Sequence, residues 1–220
     1  MASNTIENYL KAIYSLQQKQ EKVNITDVSK HLEVSAATVN NMMQKLKKMK
    51  WVKQEKYQPV TLTVEGEKRA AMIIRKHRIA EMYLTEKMGL GWENVHSIAE
   101  EMEHIDSSIL FDRMDELLDY PKYDPHGSPI PNKDGKIVKM NFHLLSQAET
   151  GSLVQLVGVE DSSKELLEFL NQKMIRLGTE MKVLEIASFD KSLLLEMEEK
   201  DTLVLSSKVC NALRVIEVEK

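Results

Sequence analysis

Residues 25–62, ITDVSKHLEVSAATVNNMMQKLKKMKWVKQEKYQPVTL, combine two short helical patterns with a pair of alternating segments. Thr26 can cap a helix that ends near residue 31, and Ser35 can cap a helix over residues 36–48, because side-chain oxygens accept hydrogen bonds from the first amides of a helix. The connection between these helices has the length of a tight turn. The segment therefore predicts a helix-turn-helix whose second helix reads DNA.

Two alternating segments follow the second helix. Residues 51–55 (WVKQE) and 60–63 (VTLT) predict short strands, and residues 56–59 (KYQP) predict the turn between them. A hairpin directly behind the second helix of a helix-turn-helix is typical of a winged helix.

The predicted DNA-reading surface is small, polar and locally basic. Residues 41–56 contain six lysines and one glutamate, although the whole chain has a net charge of -4. Small side chains allow a helix to approach base edges, amides can pair with adenine, and lysines reach phosphates. The predicted contacts are Ser35, Ala37, Thr38, Asn40, Asn41, Gln44 and Lys45 from the helix, with Lys53, Lys56 and Tyr57 from the wing. The alternative is an ordinary helical hairpin with a solvated face.

Histidines and glutamates recur at helical spacing in the middle of the chain. We expect helices over residues 64–88 and 92–118, on which side chains three or four positions apart share a face. Imidazole nitrogens and carboxylate oxygens converging between two helices would bind a divalent cation. The residues are His77, Glu81, His96, Glu100, Glu103 and His104. The alternative is that they form the solvated faces of charged helices.

The composition favours a globular chain with more than one domain. At 220 residues with 42% hydrophobic residues, the sequence can supply a core for two small domains, and it contains no apolar run of membrane-spanning length. The N-terminus has no signal-peptide pattern, and the single cysteine, Cys210, excludes an internal disulfide framework. We therefore expect a cytoplasmic protein with no membrane partner.

Beyond an irregular segment at residues 119–135, the pattern changes from helices to short strands. Residues 153–159, 180–186, 193–197 and 202–206 predict strands, with one helix at 163–177, which suggests a small SH3-like barrel. The expected fold is mainly α with a small β part, divided into a winged helix-turn-helix (1–63), a helical metal-binding and dimerisation domain (64–143) and an SH3-like domain (144–220). Within the irregular segment, Asp124 and His126 form a possible ligand pair or simply a turn.

The chain resembles the metal-dependent transcriptional repressors of the diphtheria-toxin repressor and manganese-transport regulator family. The resemblance covers nearly the whole length, including an FeoA-like tail from about Ser146. It is carried by residues 8–14 (NYLKAIY), the helix-turn-helix, residues 75–78 (RKHR) with Glu81, residues 92–104, and residues 125–131 (PHGSPIP).

The resemblance implies two metal sites. Glu100, Glu103 and His104, with a group from Asn8, match the regulatory site. The other site is implied in two forms. One form uses His77, Glu81 and His96; the other joins Glu81 to Asp124, His126 and an acid of the last domain, for which the candidates are Glu160 and Asp161.

Two positions depart from the family pattern. Asn8 stands where the family usually has Asp or Met. Its carbonyl oxygen is neutral and attracts a cation less strongly, which weakens the regulatory site. Lys11 stands where the short manganese regulators have Glu, which argues against a closely spaced metal pair.

The implied function is a metal-dependent repressor that controls metal-uptake genes. Iron sensors of the family have a cysteine at the position of Glu100, so an oxygen-rich set favours Mn²⁺, with Fe²⁺ as the alternative and Zn²⁺ or Co²⁺ as substitutes in vitro. The expected partners are double-stranded DNA with a palindromic operator and a second copy of the chain, without a small-molecule substrate.

Two competing interpretations remain. A di-metal enzyme would need Glu-x-x-His on two facing helices, whereas Glu93/His96 and Glu101/His104 lie on one predicted helix, so we expect no enzymatic activity. A winged-helix protein with a purely structural metal site is the other.

Overall fold

The structure is a computed structural model that describes residues 3–55, 58–138, 140–197 and 201–218. It divides into two compact units. Unit 1 comprises Met1–Ala80, Ala99–Tyr120 and Ile130–Val138. Unit 2 comprises Glu81–Ile98, Pro121–Pro129 and Lys139–Lys220.

The beginning of unit 1 is the predicted winged helix-turn-helix. Its elements are α1 (Asn4–Lys19), α2 (Ile25–His31), α3 (Ala36–Lys48), β1 (Val52–Lys53) and β2 (Thr61–Leu62). The strands are antiparallel, with Val52 opposite Leu62, and an isolated bridge pairs Val23 with Val60. Apolar side chains at helical spacing make the core, including Ile6, Leu10, Ile13, Val28, Val39, Met43 and Leu46.

Side-chain caps define the ends of the two helices of the motif. Ser35 Oγ accepts from the Thr38 amide at 3.1 Å, as expected from its position before α3. The start of α2 differs from the prediction, because Asn24 is the N-cap, its amide donates to Asp27 Oδ2 at 2.7 Å, and Thr26 lies inside the helix. Glu33, in the connecting turn, has a left-handed backbone with φ 53°.

The middle of the chain forms three helices, α4 (Val64–Glu86), α5 (Val95–Met102) and α6 (Ser108–Leu117). Thr63 caps α4 through a 3.1 Å bond from the Gly66 amide, as its side chain predicts. The prediction of one helix over residues 92–118 was wrong. The chain turns after α5, and Ser107 caps a new helix by accepting from the Leu110 amide at 3.3 Å.

Unit 2 contains a six-stranded antiparallel sheet. Its strands are β3 (His143–Leu144), β4 (Leu153–Val159), β5 (Glu180–Ile186), β6 (Leu193–Glu196), β7 (Thr202–Leu205) and β8 (Leu213–Glu217), in the order β3-β8-β4-β5-β6-β7. Helices α7 (Lys164–Gln172) and α8 (Ser207–Cys210) accompany it. The sheet is consistent with the SH3-like domain expected, and the fold class is confirmed.

Two of these strands, β3 and β8, were not predicted. Strand β3 has only two residues, which is too short for a periodic signal. Strand β8 does alternate, since Leu213 and Val215 are buried between more exposed neighbours, and it pairs with both β3 and β4. Among the described residues, no helix has the length and apolar character that a bilayer crossing requires.

Candidate metal centre and DNA-binding surface

Three buried donor residues meet in unit 2. Glu81, Asp124 and His126 are only 2%, 5% and 4% exposed. One ligand atom of each lies within 4.8 Å of the corresponding atoms of the other two. His126 Nδ1 is 3.7 Å from Glu81 Oε2. Two carboxylates and an imidazole held this closely, away from water, form a donor set that fits a divalent cation.

The loop that carries Asp124 and His126 is fixed by its own backbone. Asp124 Oδ1 accepts from the amides of His126 and Ser128, each at 2.9 Å, which orients the carboxylate. Gly127 has φ +81°, and a Cβ at this position would lie 2.1 Å from the Val157 carbonyl oxygen. Only glycine satisfies both the left-handed backbone and the close approach to β4.

The His126 ring is oriented by Trp92. His126 Nε2 lies 2.8 Å from the Trp92 carbonyl oxygen, to which it can only donate, so the neutral ring has its unprotonated Nδ1 on the side of Glu81. The two rings also stack, with centroids 6.0 Å apart and an interplanar angle of 18°. A carbonyl that holds the far nitrogen of a ligating histidine is common in metal sites.

The charge around His126 changes its titration. Burial by itself lowers the pKa of His126, but its hydrogen bond with Glu81 and the charges of Glu81 and Asp124 outweigh that effect and raise the pKa above its ordinary value. A cation facing these carboxylates is therefore favoured.

His96 lies at the solvent side of the same carboxylate. Its Nδ1 is 3.1 Å from Glu81 Oε1, and its side chain is 50% exposed. His77 precedes Glu81 by one turn of α4, as the spacing predicted. In unit 1, His77 Nδ1 lies 2.6 Å from Glu103 Oε2.

Two residues expected at the regulatory metal site, Glu100 and Glu103, contact Lys11. The completely buried Glu103 carboxylate receives Lys11 Nζ at 2.8 and 2.9 Å. Burial raises the pKa of Glu103, but the His77 hydrogen bond and the Lys11 charge outweigh this, and the pKa lies below its ordinary value. Lys11 Nζ is also 3.5 Å from Glu100 Oε1. Glu103 is therefore held as a carboxylate between two cationic or hydrogen-bonding side chains.

Glu7, Lys11, Glu100, Glu103 and His104 form one corner between α1 and the end of α5. His104 Nδ1 is 2.7 Å from Glu7 Oε2, so this imidazole is bonded to a residue of α1. Asn8 is exposed on the same helix.

The two acids proposed from the last domain have hydrogen-bond partners within that domain. Glu160 Oε1 accepts from Arg214 Nε at 2.5 Å, and Asp161 accepts from the Ser163 amide at 2.9 Å near the start of α7. Within the described ranges, neither belongs to a group of three possible ligands.

The predicted DNA-reading residues of α3 share its exposed face. Ser35, Ala37, Thr38, Asn40, Asn41, Gln44 and Lys45 are all exposed, as is Lys53 on β1. The Asn40 amide donates to the Ala36 carbonyl at 3.0 Å, and Lys47 donates to the Gln54 carbonyl at 2.7 Å. The predicted contacts Lys56 and Tyr57 lie outside the described residues.

Sequence reasoning missed two contributions to these sites. Glu7 and Lys11 are one helical turn apart on α1, beside the buried Ile6 and Leu10, and this spacing was a signal that both can reach one neighbouring segment. The Trp92 carbonyl is a backbone group, which no side-chain pattern can indicate.

Three family patterns match successive parts of the chain. The iron dependent repressor N-terminal DNA binding domain matches residues 1–60, and the iron dependent repressor metal binding and dimerisation domain matches residues 63–132. The FeoA domain matches residues 143–217.

Individual relatives agree with these matches. The iron-dependent repressor IdeR of Mycobacterium leprae is 29% identical over 161 residues, covering 70% of each chain. The HTH-type transcriptional regulator MntR of Geobacillus thermodenitrificans is 30% identical over 120 residues, covering 54% of this chain and 84% of the relative. A solved manganese-dependent transcriptional repressor in complex with manganese is 30% identical, with a TM-score of 0.86 over 97% of this chain and 100% of the other.

Proposed function

Because the chain belongs to the iron-dependent repressor family of metal-dependent DNA-binding regulators, we propose that it is a Mn²⁺-responsive repressor of metal-uptake genes. The observation that carries this proposal is the buried convergence of Glu81, Asp124 and His126 in unit 2. We assign the responding ion to these three residues, with His96 as a further donor from the solvent side.

The donor chemistry supports manganese. The group contains two carboxylates and one imidazole and no thiolate, and oxygen-rich sites suit hard ions such as Mn²⁺. The single cysteine, Cys210, is buried in the core of the sheet instead. The solved relative in complex with manganese points the same way. Fe²⁺ is the alternative, because intrinsic affinities rise from Mn²⁺ to Fe²⁺ for a given site.

The exposed face of α3 supports DNA as the partner. The small and amide side chains of α3 can contact base edges in the major groove. The lysines near the end of this helix can contact phosphates. Exposed apolar residues of the middle segment, Ile105, Ile109 and Leu117, support a homodimer that reads a palindromic operator. We assign the protein to the cytoplasm, where such an operator is found, and assign it no catalytic activity.

Metal and operator strengthen each other's binding in this proposal. A bound ion would neutralise the buried carboxylates of Glu81 and Asp124 and join their segments. If that arrangement favours the DNA-binding form, linkage requires an equal effect of DNA on metal affinity, typically about 5- to 150-fold.

The test is binding of the chelator-stripped protein to its own upstream DNA at fixed salt, with Mn²⁺, anaerobic Fe²⁺ and Zn²⁺ titrated in parallel. We expect Mn²⁺ to tighten binding, and Glu81→Gln to abolish the stimulation because one buried ligand charge is lost. Glu86→Gln, at an exposed position of the same helix, is the matched control and should respond as wild type.

Two outcomes would contradict the proposal. DNA binding that ignores every metal while the protein retains zinc would indicate a structural site. Stimulation that is equal for Mn²⁺ and Fe²⁺ at their cellular free concentrations would contradict manganese selectivity.

A further inference from the structure

The Glu103 carboxylate follows the last turn of α5 and is completely buried. A buried carboxylate is costly unless a positive or hydrogen-bonding group faces it. Lys11 supplies a positive charge from α1, with Nζ within 2.9 Å of both oxygens, and His77 Nδ1 lies 2.6 Å from Oε2. The cation that balances Glu103 is therefore part of the chain.

The position of this ammonium coincides with the expected regulatory metal site. Lys11 Nζ lies between Glu103 and Glu100, the two carboxylates that the family resemblance assigns to that metal. A divalent ion would have to approach the same oxygens to roughly 2.0–2.6 Å. Both cations cannot occupy this place, because the ammonium already fills it and like charges repel. The residues at this corner do not fit a metal ion.

The remaining residues of the corner are consistent with this conclusion. His104 links the same two parts of the chain, since its Nδ1 is 2.7 Å from Glu7 Oε2 and its Nε2 is 3.8 Å from Glu103 Oε1. Glu7 and Lys11 belong to one row of α1, four residues apart. A carboxylate and an ammonium of α1 thus bind an imidazole and a carboxylate of residues 103–104 directly.

We propose that the Lys11 ammonium is the resident cation of this corner and takes the place of the family's regulatory metal ion. It holds α1 to the end of α5. The inference rests on the proposed function, since it leaves the Glu81 centre as the place where metal is sensed. In this chain the corner is a permanent link and not a metal sensor.

The experiment counts Mn²⁺ ions bound by the full-length, chelator-stripped protein in equilibrium dialysis. Glu100→Ala should leave the number of bound ions unchanged, because Glu100 faces an ammonium and not a metal. Lys11→Met should raise the number by one ion per chain, because it removes the competing charge and leaves Glu100, Glu103 and His104. Lys19→Met, on the exposed last turn of the same helix, is the control and should bind as wild type.

Loss of one bound ion in Glu100→Ala would overturn the proposal, since the corner would then be a metal site in the wild-type protein. A folded Lys11→Met variant, as judged by circular dichroism, that gains no ion would overturn it as well. The Glu100→Ala arm does not depend on whether the Lys11 variant folds.

A separate variant distinguishes this proposal from the proposed function. Glu81→Gln should lose the ion of the buried centre whatever residue stands at position 11. If Glu81→Gln binds Mn²⁺ as wild type does, the assignment of the sensing site fails, while the counts for Glu100→Ala and Lys11→Met still decide the role of Lys11.

Discussion

Lys11 Nζ lies 2.8 Å from Glu103 Oε1, although 92 positions separate the two residues in the chain. The carboxylate is completely buried, and the lysine side chain is only 21% exposed. This pair is therefore shielded from water, unlike a surface ion pair, whose net contribution to stability is small.

A double-mutant cycle should show strong energetic coupling between these residues. Lys11→Met should destabilise the protein by about 2 kcal/mol, below the roughly 3–5 kcal/mol of a fully buried broken pair because His77 still bonds to Glu103. Lys11→Met/Glu103→Met should recover part of this loss, because no buried charge is left alone. Urea denaturation in the presence of chelator measures all four proteins. Additive losses in the double variant would show that the two residues do not interact energetically.

Gly127→Ala should weaken the metal centre more than its backbone conformation alone explains. Gly127 and Gly178 both have left-handed backbones, at φ +81° and +88°, so alanine costs roughly 1 kcal/mol at either position. Only at Gly127 would the new Cβ meet backbone, 2.1 Å from the Val157 carbonyl oxygen, whereas nothing lies within 4 Å at Gly178.

Thermal unfolding and Mn²⁺ titration of the two glycine variants separate these effects. We expect Gly178→Ala to keep wild-type affinity for Mn²⁺, and Gly127→Ala to lose it because the segment with Asp124 and His126 must move away from β4. Equal metal affinity in both variants would show that the close approach of the loop to β4 does not position the ligands.

Lys45→Gln should weaken DNA binding without changing sequence preference. Lys45 is exposed on α3, where its charge can contact a phosphate. Because phosphates are the same in every DNA sequence, loss of this contact would weaken binding to all sequences equally. Each lost phosphate contact reduces the slope of log K against log salt by about 0.9. Fluorescence anisotropy at several salt concentrations measures this slope. Lys208→Gln, on α8, should retain the wild-type slope, and a reduced slope there would indicate a DNA surface in unit 2.

Cys210 should resist alkylation in the folded protein. The thiol is completely buried, and burial raises its pKa to about 11. At pH 8 only about one thiol in a thousand would be ionised, and the reactive fraction should rise tenfold per pH unit up to the pKa, because the thiolate is the nucleophile. Iodoacetamide labelling followed by mass spectrometry should show rapid reaction only after denaturation in urea. Rapid labelling of the native protein at pH 8 would contradict the burial of this side chain.

Helix starts and strands were predictable where a capping residue or a local alternation of apolar residues determines them. Ser35 and Thr63 cap α3 and α4 as their side chains predict, and β4 and β5 have the bounds that their alternation indicates. The break between α5 and α6 was not predicted, because residues 103–107 contain neither proline nor glycine and the apolar pattern continues through them. Residue 107 can either continue the first helix or cap a new one. A pattern of hydrophobic positions does not show which of these two structures is more stable.

The candidate sites were predictable as a list of residues but not as a set of contacts. The histidines and glutamates stood out by type and spacing. Their partners depend on long-range packing, which brings Asp124 and His126 to Glu81 and brings Lys11 to Glu103. Lys11 was noted as a departure at one position, and only the fold shows that its ammonium lies among the expected ligands.

The backbone bonds of the Asp124 loop have a consequence for the speed of the response. Because the amides of His126 and Ser128 orient Asp124 Oδ1, the proposed centre would meet the ordering cost of this ligand during folding and not at each binding event. Binding of an ion to the proposed centre would then need no reorientation of the Asp124 carboxylate. When the metal concentration falls, the rate at which the proposed repressor loses its ion would be set by the exchange of the metal's ligands.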